Sequence, residues 1–384
     1  MTLIMRAILA MAWLLPLPSL SVASEGNVKI EAVTGQVCHA ESPHYDNSSQ
    51  NLIFIDLFGN KFCIYNLPSK ETHCTCCLEL VAGPIVPIQN ATNQYLAALG
   101  PYLTKMYWDG RNNSRPDFTI IGRFDSNAAP GTEISDGKAD CKGQFFVDTR
   151  GKLGPSGVAV IMNQASLFHY SKRTCTLEKN LDKDKSFYNG LAWSTDYSRF
   201  FIGESNDKTV YSFDYDVNSG NISNRKVLID FKATNSCEPD GMTIDCGDNL
   251  WIACFTFGYV LQVDTNNGSI LQTLHVPATD VTSVAWGGEY LSTLFVTSSR
   301  YMLSEEERQK QPLAGSVFAV TGLKFKGVRA NSADICTVGC RRDGSCPPCD
   351  GNPSAIPNAP VEEFDTASCP ANGAIYGGHY CQIS

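Results

Sequence analysis

One repeating unit constrains the fold of this chain more than any other feature. A short apolar run ends in a polar turn, a second alternating run follows, and the unit recurs along most of the sequence. Clear copies are Leu52-Ile-Phe-Ile-Asp56 with residues 61–67, and Arg199-Phe-Phe-Ile-Gly203 with residues 209–215. Leu250-Trp-Ile-Ala-Cys254 with residues 259–264 and Leu294-Phe-Val-Thr-Ser298 with residues 316–321 repeat it. Gln144-Phe-Phe-Val-Asp148 and Tyr95-Leu-Ala-Ala-Leu99 fill the remaining places. The apolar centres are spaced by roughly 45–55 residues, the length of a four-stranded propeller blade. Six copies imply an all-β, six-bladed β-propeller. A β-sandwich is the plainer alternative, but it does not explain six similar units in one continuous chain. Turn signals such as Gly59-Asn60, Asn218-Ser-Gly220, Cys246-Gly-Asp248 and Asn266-Asn-Gly268 separate the runs. Helical periodicity is nearly absent; the one candidate is 304–310, with Ser304 as cap and Glu307 at the third helical position.

The two ends differ from this body. Residues 1–24 run from a charged start through an apolar stretch at 7–15 to Pro16 and Pro18 and then small residues, the order of a secretory signal peptide. An uncleaved anchor is the alternative, disfavoured because the run is short and broken by proline. No later stretch reads as a membrane span, so the mature chain is expected to be secreted. N-x-S/T acceptor patterns at Asn47, Asn90, Asn112, Asn221 and Asn267 sit beside turn-forming residues and fit glycosylation. The 16 cysteines then favour disulfides over free thiols or zinc. A net charge of −9 argues against nucleic acid as a partner. The expected organisation is a signal peptide at 1–24, the propeller at 25–333 and a cysteine-rich extension at 334–384. That extension holds six cysteines among many Gly, Pro and Asn and cannot bury much apolar surface, so it needs covalent staples. Three disulfides within it are expected; zinc at Cys346-x2-Cys349 is the alternative. Elsewhere His73, Cys74, Cys76 and Cys77 are a poor zinc set, and pairing across blades is preferred, with no pair assignable.

No signature of a serine hydrolase, a P-loop or a zinc protease is present. What remains is a set of acidic and amide residues at corresponding places in three blades. Glu41 precedes Ser-Pro, Asn189 lies in Phe187-Tyr-Asn-Gly-Leu-Ala-Trp193, and Asp240 lies in Glu238-Pro-Asp-Gly-Met242. Each precedes its blade's apolar run, in the loops expected to face one end of the central channel. Oxygen donors converging there suit a hard cation such as calcium. The same Asn-Gly and Pro-Asp-Gly pairs are also ordinary turn chemistry.

Several segments resemble the regucalcin family, the group of the senescence marker protein, gluconolactonase and the luciferin-regenerating enzyme. They include Val28-Lys-Ile-Glu-Ala-Val, Asn189-Gly-Leu-Ala-Trp-Ser, Pro239-Asp-Gly-Met-Thr-Ile-Asp245 and the Val-Thr-Gly-Leu-Lys-Phe-Lys-Gly ending at Gly327. The resemblance runs from about residue 28 to 329. It implies a six-bladed propeller with calcium or another divalent ion (Zn2+, Mn2+ or Mg2+) in the channel, held by Glu41, Asn189 and Asp240, and lactone hydrolysis. In that scheme Asp240 is both ligand and proton acceptor. The family's substrate stretch reads Arg-x-Asn-Asp-Gly-Lys, whereas this chain has Glu133-Ile-Ser-Asp-Gly-Lys138, with Glu133 for the Arg and Ser135 for the Asn. A further acidic substrate contact of the family falls near Lys152 or Leu153. Asp136-Gly-Lys138 itself reads most simply as a turn.

Three functions follow. The first is a divalent-metal-dependent hydrolase of a small lactone or ester, with sugar lactones expected to be poor substrates. The second is a non-catalytic calcium- or ligand-binding propeller. The third gives the extension at 334–384 a protein partner.

Overall fold

An apolar run that is continuous rather than alternating asks for burial on both faces of its strand. Asn51–Asp56 illustrates how that demand is met in the computed structural model, which describes residues 28–124, 132–152 and 163–336. Ile53 and Ile55 face one neighbouring sheet, and Phe54, one residue out of phase, faces the other. Phe200 and Ile202 likewise point one way and Phe201 the other. Side chains alternate across a strand, so each sheet is glued to two neighbours by one run of residues.

The result is six four-stranded sheets, all antiparallel, five in consecutive strand order and the sixth completed by the first described strand. The apolar core is accordingly divided into six clusters, each shared by two adjacent sheets. In the cluster between the fifth and sixth blades, Trp251 and Trp286 meet edge to face at 5.3 Å. The expected propeller is therefore the observed architecture. The innermost strands are Ala40–Asp46, Ala82–Pro87, Glu133–Ala139, Tyr188–Trp193, Glu238–Ile244 and Val281–Gly287. The apolar runs read from the sequence are the second strands of their blades.

The ring is closed by the first and last strands of the described residues. Lys29–Ala32 forms the outermost strand of the last blade and pairs with Phe318–Thr321, Lys29 opposite Thr321 and Ala32 opposite Phe318. The one α-helix among the described residues is Glu305–Lys310, capped by Ser304 with Glu307 answering as a capping box, as expected.

After the last strand the chain crosses the face of the propeller on which the inner strands end. Gly327 bridges to Asp245, the Asn331 amide donates to the Tyr197 hydroxyl at 2.8 Å, and Ala333 bridges to Ile88. Ala333 and Ile335 are buried in the cluster of the second and third blades. Cys336 is then bonded to Cys175 of the third blade. Three disulfides inside 334–384 are thus excluded, because one of those six cysteines pairs outside the segment.

For Cys74, Cys237 and Cys254 pairing across blades is corrected as well. Cys63–Cys74 joins two adjacent strands of the first blade, and Cys237–Cys254 lies within the fifth. Cys74 is the last residue of the first blade's outermost strand. Cys38 and Cys76 are also disulfide-bonded. The proposed signal peptide at 1–24, Leu153 and the cysteines from 340 onward lie outside the described residues.

Candidate metal centre

All six inner strands break register at one level: between Glu41 and His44, Ala82 and Ile85, Ile134 and Gly137, Asn189 and Leu191, Pro239 and Met242, and Val281 and Val284. A bulge opposes two residues to one and re-aims a side chain. In three blades it brings Glu41, Asn189 and Asp240 to one cavity. The backbone there is crowded. Gly190 has φ 59°, and a Cβ on it would stand 2.3 Å from the carbonyl oxygen of Asp240. Polar-Gly pairs at these positions are therefore bulges within strands. The expectation that Glu41, Asn189 and Asp240 sit in loops, and that Asp136-Gly-Lys138 is a turn, is corrected accordingly.

Glu41, Asn189 and Asp240 come together from three blades, each no more than 6 % exposed. They form the floor of a cavity of about 450 Å³ at the end where the inner strands begin. Ser135 also lines it; Glu133 instead pairs with Arg150, which does line it. The Asn189 amide donates to Asp240 Oδ1, and its oxygen accepts from Gly190 N–H at 3.0 Å. Glu41 Oε2 accepts from Ser42 N–H at 2.5 Å, while Glu41 Oε1 is buried without a partner.

Sequence reading missed three residues of this centre. Asp136 accepts from the Ser42 hydroxyl at 2.9 Å and from Gly137 N–H at 2.7 Å. Asp148, on the next strand, accepts Asp136 N–H at 2.8 Å through Oδ1 and leaves Oδ2 buried without a partner. Half-buried Lys138 donates to the Met242 carbonyl at 2.6 Å. The signal was present: Asp136-Gly137 falls at the same place before an apolar run as Asn189-Gly190 and Asp240-Gly241.

The charges are unbalanced. Burial, then the Asp136 carboxylate, holds the Glu41 carboxyl well above its usual range. Asp240 is raised in the same way by burial, Glu41 and Asp136, and Asp148 by burial and Asp136. Burial lowers Lys138 while Asp136 and Glu41 oppose that shift. Clustered acids with one ammonium and two orphaned oxygens are the donor chemistry of a divalent cation. Among the described residues no three His, Cys, Asp or Glu side chains surround one point, so a cage here needs the Asn189 amide.

The family described as SMP-30/Gluconolactonase/LRE-like region matches residues 39–300, which carry every residue of this centre. This chain belongs to that family. Regucalcin of Danio rerio is 32% identical over 304 residues, covering 79% of this chain and 97% of the relative. Regucalcin of Bos taurus is 30% identical with the same coverage. A solved luciferin-regenerating enzyme superposes with a TM-score of 0.74 at 28% identity, over 80% of this chain and all of the other. A calcium-binding regucalcin from Agrobacterium tumefaciens shares the fold, with a TM-score of 0.69 at 20% identity over 79% and 97% of the two chains. In this chain Glu41, Asn189 and Asp240 converge on the cavity while Glu133 is tied to Arg150.

Proposed function

We propose that this chain is a secreted hydrolase that opens small lactones or esters at Glu41, Asn189 and Asp240, with calcium as its resident ion. The observation that carries the reading is the buried, unpartnered Glu41 oxygen beside Asp240 on the floor of a cavity large enough for a small molecule. Kinship with the gluconolactonase family supports hydrolysis, and the calcium-binding regucalcin of Agrobacterium tumefaciens supports calcium. Zn2+, Mn2+ or Mg2+ would use the same donors.

Such an ion, when bound, supplies polarisation of the carbonyl and a lowered pKa for water. The chain's own residues do the rest. Asp240 has one oxygen occupied by the Asn189 amide, and its other oxygen takes the proton of the attacking water. Ser42 and Gly137 fix Asp136, and Lys138 offsets part of the acidic charge. Secretion rests on residues 1–24, on the disulfides, and on the exposure of Asn47, Asn90, Asn112, Asn221 and Asn267. A second reading, a calcium- or ligand-binding propeller without turnover, is favoured by the tying of Glu133 to Arg150 away from the cavity floor. The 334–384 extension would then offer a surface to a protein partner.

The test is metal content followed by a panel of lactones and aryl esters, with the wild type and Asp240→Asn. Turnover that disappears with a chelator and in the variant supports the hydrolase. Calcium binding without turnover on any substrate supports the second reading, and turnover indifferent to chelation overturns the metal-dependent one.

A further inference from the structure

The walls of the cavity differ in character from its floor. Above Glu41, Asn189 and Asp240 stand Leu57, Phe58, Phe187, Phe255, Tyr301 and Met302, brought by loops and strand ends of four blades. Phe58 and Tyr301 stack at 3.9 Å with 23° between their planes, and His39 meets Phe58 edge to face at 5.0 Å. Phe255 closes the far side of His39 at 6.3 Å. A polyol needs hydrogen-bonding groups on the walls to replace its water. Several of the polar side chains there are already engaged with the protein. Lys208 is paired with Glu238 at 2.9 Å and donates to Asn235 at 2.6 Å. The Ser205 hydroxyl donates to the Pro239 carbonyl at 2.7 Å, and Arg150 is paired with Glu133. Ser135 presents only a short hydroxyl.

Resting on the hydrolase reading of the same floor, we infer that the substrate is a neutral aromatic lactone or aryl ester, whose ring lies in the slot between Phe58, Phe187, Phe255 and Tyr301. Flat rings placed against aromatic walls gain offset or edge-on contacts that a hydroxylated ring does not. In the reaction, water oxygen bonds to the carbonyl carbon and the bond from that carbon to the phenolic oxygen breaks. One water proton passes to the leaving oxygen, giving a carboxylic acid and a phenol. No oxidant or second substrate is required.

The experiment separates this inference from the hydrolase reading. Full-length secreted protein with its metal is assayed on dihydrocoumarin, δ-valerolactone and glucono-1,5-lactone. In parallel, binding of coumarin is measured by calorimetry to the wild type and to Asp240→Asn. The expected kcat/KM for dihydrocoumarin exceeds that for gluconolactone by about 100-fold or more. Phe58→Leu and Tyr301→Leu lower kcat/KM for dihydrocoumarin by about tenfold, mainly through KM, a larger loss than either causes for δ-valerolactone. Coumarin binding that Phe58→Leu weakens, with no turnover of any lactone, keeps the aromatic slot and defeats the hydrolase. Turnover with equal or greater preference for gluconolactone keeps the hydrolase and overturns the slot. Absence of both coumarin binding and aromatic preference also overturns it.

Discussion

Glu133 and Arg150 lie directly opposite each other on adjacent strands of the third blade, and their side chains are ion-paired beside the cavity. The Arg150 side chain is only 4% exposed and that of Glu133 22%. Reversing one charge of a pair this buried leaves two like charges with little solvent to screen them. Glu133→Arg is therefore expected to lower stability by roughly 2–4 kcal/mol in denaturant unfolding. Adding Arg150→Glu, which restores the pair with its sign exchanged, should recover most of that loss. A neutral effect of Glu133→Arg would show that Arg150 is held by its other neighbours.

Acid and metal should trade places at the centre. Glu41, Asp136, Asp148 and Asp240 are all raised in the folded state, chiefly by burial and then, for Glu41, Asp240 and Asp148, by one another. The folded metal-free protein therefore holds more protons than the unfolded chain, and its stability falls as pH rises. The decline begins near the unfolded carboxylate values, at about pH 4, and runs up through the raised folded ones. Saturating calcium should flatten the decline, adding about 2.7 kcal/mol at a hundredfold excess over Kd. Melting curves from pH 4 to 8, with chelator and with calcium, check both slopes. Asp240→Asn should be more stable than the wild type in chelator at pH 7.5 and should gain less from calcium.

The Cys175–Cys336 bond closes a separation of 161 residues and pins the segment that crosses the propeller face. Cys175→Ser is expected to reduce stability by about 2–4 kcal/mol. The loss should appear first as faster hydrogen exchange at residues 327–336 and at the backbone of Ile88 and Gln89, which pair with Ala333. Because the segment lies at the far end of the inner strands from Glu41, Asn189 and Asp240, calcium affinity should be unchanged. A parallel loss of calcium affinity would mean that the two ends of the channel are coupled.

The fold was legible because each second strand is buried on both faces and so writes a continuous apolar run, as in Leu52-Ile-Phe-Ile and Leu250-Trp-Ile-Ala. Glu41, Asn189 and Asp240 were legible from the pattern as a set of oxygen donors, but only the resemblance told them from turn residues, since Asn-Gly and Asp-Gly are written alike in turns and in bulges. That ambiguity hid Asp136 and Lys138, whose strand was read as a turn. Asp148 was hidden for another reason: it ends an apolar run, where a polar residue looks like the start of a turn. Arg150 and the aromatic walls come from separate blades, and their meeting depends on closure of the ring. Closure also placed Lys29–Ala32 beside Phe318–Thr321, a pairing that neither local pattern nor spacing announces.

Gly190 gives the most direct test of the bulge that builds the centre. Its φ of 59° is open to glycine at little strain, and an added Cβ would meet the Asp240 carbonyl oxygen at 2.3 Å and the Met242 nitrogen at 3.0 Å. Both obstructing atoms are backbone, so no side chain can swing aside. Gly190→Ala must either push the fourth and fifth inner strands apart or flatten the bulge and turn Asn189 from the axis. The first outcome destabilises the protein by roughly 3 kcal/mol or more in denaturant unfolding. The second leaves stability closer to wild type but weakens calcium binding by at least about tenfold, as the Asn189 amide is lost to the cage. Gly35, with nothing within 4 Å of an added Cβ, is the matched control, and Gly35→Ala should change neither quantity. If Gly190→Ala were as silent as that control in both unfolding and calcium titration, the bulge would not be what positions Asn189.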